Sequence, residues 1–380
     1  MKLGYITREL VITDDKNYIR TGIEKKLLTQ IYSLQKLGVE VEVIGRNNTV
    51  VSIKQRLTSL KEECHVFREM ISRYTEEDCI YIRGVSDYFL DWYLLSLPRR
   101  AKVVFEINGL TRPDHKERIK PAKGLIRKLF YVSQYISCIL LEKNVLKKSD
   151  GVVSVTNEIT EYNKTLTDNT ISYLTLGNGI STETIPVKKV PDYNNELHIL
   201  VVAYINFWHG IDRFIRGLHE YNAHYANSTK IVLHIVGDGP ELPHLKDLTN
   251  NLSLNEYVIF HGIKSGKELD EMFDMCHIAI GSLAGFRVGL NELSSLKSRE
   301  YCARGIPFLM ASKDADFPEG FNWVQMVPAE EQPIDMNTVI EFANCVMDDT
   351  EHPHMMRKYA EEHLDWMAKM RALKEFLESL

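Results

Sequence analysis

Short apolar runs alternate with longer segments of helical periodicity along nearly the whole chain. Residues 2–6 read as a strand. Ile23, Leu27, Leu28, Ile31, Leu34 and Leu37 then fall on one face of a helix, which Gly38 ends. Residues 39–44 form the next strand, so the chain opens as a βαβ unit of a parallel sheet. Further strands are predicted at 79–82, 103–106, 151–155 and 173–176. The stretch 107–115 reads as a loop leaving the carboxyl end of a strand, the edge where open α/β sheets take ligands. Its Asn108, Arg112, Asp114 and His115 are candidates for acceptor binding or acid–base work, set against a reading as ordinary polar loop residues. Residues 120–148 read as helical. Leu125, Ile126, Leu129, Phe130, Val132, Tyr135 and Ile136 give a broad apolar surface, bordered by Lys120, Lys123, Arg127, Lys128, Lys143, Lys147 and Lys148. That pattern suits an anionic membrane surface, and equally a core helix with a solvated basic face.

The polar segment 181–196 holds two prolines and reads as a domain linker. A second α/β alternation follows, with strands predicted at 197–202, 231–236, 257–260 and 277–280 and a helix carrying Asp212 to Leu218. Gly237-Asp238-Gly239 stands at a strand-to-helix turn, where glycines can cradle phosphate. Leu242 occupies the third-glycine position, so this is not the dinucleotide fingerprint. The tail, 355–380, is helical and charged.

The stretch Asn291–Pro307 carries the sharpest chemistry. Ser294 or Ser295 can cap a helix, Gly305 suits its left-handed end, and Pro307 cannot continue it. Glu292 precedes this helix and Glu300 lies within it, about 9 Å beyond the cap at 1.5 Å per residue. Between them the helix start offers free N–H groups and a partial positive charge. A diphosphate flanked by hydroxyl-rich groups, as in a nucleotide sugar, fits this layout. Two solvated glutamates on a surface helix are the plainer alternative.

Composition narrows the field. The 380 residues suffice for two domains, and 44% hydrophobic with 26% charged residues is the balance of a globular protein. A net charge of −6 gives no support for a nucleic-acid partner. Six scattered cysteines without a CxxC pattern suggest reduced thiols in a cytoplasmic protein. Neither a signal peptide nor a transmembrane run is predicted. No metal is expected: zinc motifs are absent, and Asp314-Ala315-Asp316 reads as a solvated loop beyond the helix rather than a metal-binding DxD.

Taken together, Thr21-Gly22-Ile23-Glu24, Ser149–Val155, Asn178-Gly179-Ile180, Trp208–Arg213, Val236–Pro240 and the E-x7-E pair with Gly305-x-Pro307 resemble the retaining glycosyltransferases of family 4 over nearly the whole chain. The resemblance implies an α/β GT-B fold, two Rossmann-like domains facing an interdomain cleft. It places an acceptor domain at 1–185, a nucleotide-sugar domain at 196–354, and a final helix at 355–380 that crosses back. Glu300 would hold the ribose diol and Glu292 the sugar hydroxyls. Ser295, Leu296 and Lys297 would meet the diphosphate, with Gly22, Gly239 and Ile263 completing the donor site. The family's usual Arg–Lys pair is replaced by Ala203 and His209, so His209, Arg213 and Lys297 become the candidates for neutralising charge. Asn108 stands nearest to the family's reacting-centre histidine. The implied reaction moves a hexosyl group from a nucleotide sugar, most simply a UDP-sugar, to a saccharide or lipid-linked acceptor, with peripheral contact to the inner face of a membrane allowed. The alternatives are an inactive sugar-binding or complex-forming relative and a nucleotide-sugar epimerase.

Overall fold

The computed structural model describes residues 1–13, 21–46, 53–84, 88–119, 124–193, 196–224 and 229–380. The chain forms two compact units, Met1–Gly177 with Trp366–Leu380, and Asn178–Asp365.

The first unit runs β1 (Lys2–Val11), α1 (Gly22–Lys36), β2 (Glu40–Arg46), α2 (Ile53–Arg73), β3 (Cys79–Arg83), α3 (Tyr88–Leu95), β4 (Lys102–Ile107), α4 (Thr111–Ile119), α5 (Leu125–Lys147), β5 (Gly151–Ser154), α6 (Asn157–Thr167) and β6 (Ser172–Thr175). Its six strands lie in the order β2-β1-β3-β4-β5-β6, every pair parallel. Burial on both faces explains why these strands read as apolar runs. Thr21 caps α1 in a full capping box with Glu24, so Gly22 is the first helical residue.

The second unit runs β7 (Glu196–Tyr204), a short 3-10 turn at Phe207–His209, α7 (Ile211–His224), β8 (Lys230–Asp238), α8 (Leu242–Asn251), β9 (Val258–Gly262), α9 (Gly266–Met275), β10 (Ile278–Ile280), a second 3-10 turn at Gly285–Val288, α10 (Leu296–Arg304), β11 (Phe308–Met310), β12 (Val324–Met326), α11 (Met336–Met347) and α12 (His352–His363). Its parallel sheet has the order β12-β11-β10-β7-β8-β9. Leu197, Ile199, Val201, Leu233 and Ile235 face one core layer, and Leu200, Val236, Ala279 and Phe308 the other. The α/β expectation therefore holds in both halves.

Three local readings are corrected. The expected loop at 107–115 becomes helix α4 from Thr111. The segment read as a linker straps onto the second unit, where its Lys188 N–H donates to Arg304 O at 2.8 Å, and Ile180 N–H, just before it, donates to Leu364 O at 2.8 Å. Its Ile185, like Ile180 just before it, packs on the core there, so the segment is held by apolar burial despite its polar composition. The tail is two helices: α12 ends in the second unit, and α13 (Trp366–Ser379) belongs to the first. Lys120 and Lys123 lie outside the described residues.

Candidate functional site

In the second sheet, β7 has β8 on one side and β10 on the other, so connections run away in opposite directions from this point. Such a reversal leaves a crevice at the carboxyl ends of the two strands. Here β7 and β10 pair only at Ile199–Ile278 and Leu200–Ala279. Beyond that they part, and the hydroxyl of buried Tyr301 fills the gap. It accepts from Val202 N–H at 3.2 Å and donates to Ile280 O at 3.2 Å. Tyr301 thereby fixes α10 to both strands of the crevice. Sequence reasoning missed it because nothing in a helix pattern marks a phenol spanning two strands.

The helix itself follows the predicted punctuation. Ser295 is the N-cap, its Oγ accepting from Lys297 N–H at 3.2 Å. Helix geometry leaves the other first-turn amides without an intrahelical acceptor. Ser294 does not cap the helix, and its Oγ accepts instead from Asn178 N–H at 2.7 Å. Gly305 closes the helix at φ 81°, and a Cβ there would stand 2.3 Å from Pro353 Cα. Both conformation and the approach of α12 demand glycine.

Lys297 is the unusual group. Its Nζ donates to Gly281 O at 3.1 Å, the loop carbonyl just past β10. Burial pushes its pKa down to about 7. Beside it, His209 is buried, and desolvation together with the Lys297 charge pushes its pKa down to about 2. His209 Nδ1 accepts from Asn206 N–H at 3.2 Å, which leaves the ring proton on Nε2. The imidazole is thus a neutral donor. His209 O also accepts from Leu283 N–H at 3.0 Å, joining the loops that follow β7 and β10.

The carboxylates are less exposed than two free surface charges would be. Glu300 accepts from Arg304 Nε at 2.9 Å, and Arg304 also pairs with Asp270 at 2.7 Å. Glu292 is half-buried, and its backbone forms an isolated bridge with Lys313. Between them in sequence, Arg299 is fully buried. It grips Asp314 with both nitrogens, reaches Asp316, and donates to Asn178 O at 2.9 Å. Asp314-Ala315-Asp316 is therefore an ion-pair clamp on α10, which corrects the reading of a solvated loop.

Arg213 is also corrected. Its guanidinium is buried and donates to Gln332 O and Pro328 O, each at 2.9 Å, and to Leu283 O. It braces three loop carbonyls with three of its five N–H donors, a structural use the sequence did not show. Gly239 is set by packing, since a Cβ would lie 2.2 Å from Ile205 O, and its N–H is taken by Asp238 Oδ1 at 2.7 Å. Ile263 stands 75% exposed just past β9, at the same carboxyl edge.

In the first unit, exposed Asn108 follows β4. Below it lies a buried cluster. Lys26 Nζ donates to Glu106 at 3.2 Å and to Asn108 Oδ1 at 3.5 Å, Tyr81 donates to Glu106 at 3.1 Å, and Arg83 pairs with Glu106 and Glu9. Burial alone would raise the Glu106 pKa; Arg83 and Lys26 overcome it and hold it at about 2. Arg112 turns instead to buried Glu142, at 2.7 Å, and His115 packs against Tyr88. Both are on α4 and face neighbouring helices. The Asp114 side chain lies outside the described residues. A Cβ on Gly22 would meet nothing within 4 Å, so local packing does not require that glycine.

The paired parallel six-stranded sheets are those of the GT-B fold. Residues 184–363, somewhat under half of the chain, match the family model of glycosyl transferases group 1. Among solved structures, the chain is similar over its whole length to a sucrose-phosphate synthase from Thermosynechococcus elongatus, at TM-score 0.69 and 13% identity over 98% of that protein. It is similar likewise to the lipopolysaccharide outer core galactosyltransferase WaaB, at 0.64 and 13% over 99%, and to HepE of Anabaena, solved with UDP and glucose, at 0.62 and 14% over 100%. No curated protein sequence matches the chain.

Proposed function

We propose that the chain is a retaining glycosyltransferase. It moves a hexosyl group from a UDP-sugar to a hydroxyl of a saccharide or lipid-linked acceptor in surface polysaccharide or glycolipid synthesis. One observation carries the reading: Lys297 is an enclosed ammonium at a helix N-terminus, held by a carbonyl, at the switch point of a parallel sheet. Such a group is ill-compensated until an anion arrives. A diphosphate supplies that anion, and the first-turn amides of α10 add donors to it.

The chemistry follows. Breaking the bond between the anomeric carbon and the diphosphate oxygen leaves that oxygen negative. Lys297 and the helix dipole stabilise this charge more than they stabilise the intact donor. The acceptor oxygen bonds to the same face of the carbon, and its proton passes to the leaving diphosphate. In this reading no metal cofactor takes part. His209, neutral with its proton on Nε2, donates a hydrogen bond without adding to the buried positive charge. Glu300 accepts the ribose diol after exchanging Arg304 for hydroxyls, and Glu292 accepts from the transferred sugar. Ile263 offers an apolar surface to a base. An acceptor carried on lipid would bring the chain to the inner face of a membrane, as a cytoplasmic protein bound peripherally.

Calorimetry with UDP, paired with release of UDP from UDP-sugars, tests the reading. The parent chain binds UDP and slowly frees it from one UDP-sugar, and Glu300→Ala weakens UDP binding by roughly tenfold to hundredfold, the range for lost hydrogen bonds to a charged group. Unchanged UDP binding in Glu300→Ala would overturn the assignment of that carboxylate.

A further inference from the structure

Helix α5 carries apolar side chains on both sides. Its buried side mixes Cys138, Val145 and Leu146 with the polar Gln134, Ser137 and Glu142, each at most 9% exposed. Glu142 Oε2 accepts from Arg112 at 2.7 Å and from the Tyr162 hydroxyl at 3.3 Å, while its Oε1 is buried without a hydrogen-bond partner among the described residues, and Ser137 donates to Gln134 O at 2.9 Å. Its outer side is apolar. Leu125, Leu129, Ile136, Ile139 and Leu140 are between 45% and 74% exposed, at spacings that keep them on one stripe of the helix. Ordinary surface helices leave no such apolar stripe on the outer side.

The neighbouring helix extends the same surface. Helix α3 packs on α5 and leaves Phe89, Trp92 and Tyr93 exposed, with Phe89 at 65%. Two adjacent helices thus present large aliphatic and aromatic side chains together, where isolated exposed residues would need no explanation.

Charge says what covers this surface. In a chain of net charge −6, the only acids of α3 and α5 are Asp91 and Glu142, and both are buried. The exposed charges of α5 are Arg127, Lys128, Lys143 and Lys147, all positive. Lys148 sits over the Trp92 ring, 6.0 Å from its centroid. Asp168 meets Lys143 and Lys147 at the carboxyl end, leaving the amino-terminal end with Arg127 and Lys128 beside Leu125 and Leu129. Among the described residues no helix is long and apolar enough to cross a bilayer. A helix that is apolar outward, edged by cations, flanked by Trp and Tyr, and unable to span lies in the plane of a membrane interface.

We infer that α3 and α5 form one docking face for an anionic lipid leaflet, with the stripe Leu125, Leu129, Ile136 and Leu140 entering the acyl boundary. Trp92 and Tyr93 sit at headgroup level, and Arg127 and Lys128 pair with lipid phosphates. The sequence marked the basic-apolar helix; the exposure of its apolar stripe and the aromatic helix beside it come from the structure. The inference stands on this surface alone and does not need the transfer reaction to be right.

Co-sedimentation of the full chain with vesicles of phosphatidylglycerol and phosphatidylcholine, against phosphatidylcholine alone, tests it. The parent pellets with the anionic vesicles, less so as salt rises. The charge-reversed pair Arg127→Glu with Lys128→Glu, and separately Leu129→Ser with Leu140→Ser, each weaken binding by at least roughly tenfold. Both variants keep parental far-ultraviolet circular dichroism and release UDP at the parental rate in solution, because the altered groups are exposed. Trp92 emission shifts to the blue on binding, read as the difference from Trp92→Phe. Binding that ignores lipid charge, or that survives both variants, overturns the proposal. So does a chain that stays in the supernatant but forms a dimer broken by Leu129→Ser with Leu140→Ser, since a second copy would then own the face.

Discussion

Two lysines stand near the carboxyl ends of two similar parallel sheets, and they differ in one respect. Lys26 in the first unit has a carboxylate, Glu106, at 3.2 Å, and Arg83 and Tyr81 complete the cluster around that carboxylate. Lys297 in the second unit has the carbonyl of Gly281. Burial lowers both lysines, Lys26 to about 8 against the pull of Glu106, and Lys297 to about 7. The first cluster is closed, its charges answering one another inside the fold. The second is open: a carbonyl holds the ammonium, and the proposed diphosphate would supply the missing charge. A buried ion alone therefore says little about function; what matters is whether the fold itself supplies the counterion.

The contrast breaks most visibly at Glu106. Glu106→Gln strands Lys26 and Arg83 in the interior, and chemical denaturation should show a loss of about 3–5 kcal/mol. Lys297→Met is the opposite experiment. It removes an ill-compensated charge, so the free chain keeps or gains stability, while calorimetry shows UDP affinity falling by roughly tenfold to hundredfold. Loss of stability in Lys297→Met, with UDP affinity intact, would make both clusters structural.

The smallest effect is the most specific. On the proposed reading a diphosphate would bind the protonated form of Lys297, whose pKa is lowered by burial to about 7. Below that pH the proton is already in place. Above it, binding must recruit one, so Kd for UDP should rise by about tenfold per pH unit until the bound-state pKa is reached. Lys297→Arg, charged at every pH, should flatten this limb. The folding linkage runs the other way: a lowered lysine pKa means that the unfolded chain holds the proton more tightly, so this group makes the unliganded fold steadier as pH rises from about 7 toward 10.5.

The two sheets were legible because apolar runs and helical stripes alternate, and doubly buried strands admit little else. Helix α10 was legible because Ser295, Gly305 and Pro307 are local signals acting on the backbone next to them. What escaped reading depends on partners far along the chain. Arg213 looked available beside His209, yet three carbonyls from residues 283, 328 and 332 enclose it. Arg299 meets Asp314 and Asp316 across an intervening strand, so neither the arginine nor the acids announce the pair. At 355–380 a charged amphipathic pattern runs on without a strong stop. Leu364 ends α12, Asp365 bridges to Ile180, and only then does Trp366 turn to another core.

That last turn bears on how the molecule is made. Trp366, Met370, Leu373 and Leu377 pack with Leu27, Ile31 and Leu34 of α1, and Phe376 closes over Gly151. The half of the chain that leaves the ribosome first lacks part of its own interior until residues 366–380 follow, after the other half has emerged. A nascent chain halted at residue 365 would hold a second unit with all of its residues and a first unit with a bare apolar seam along α1.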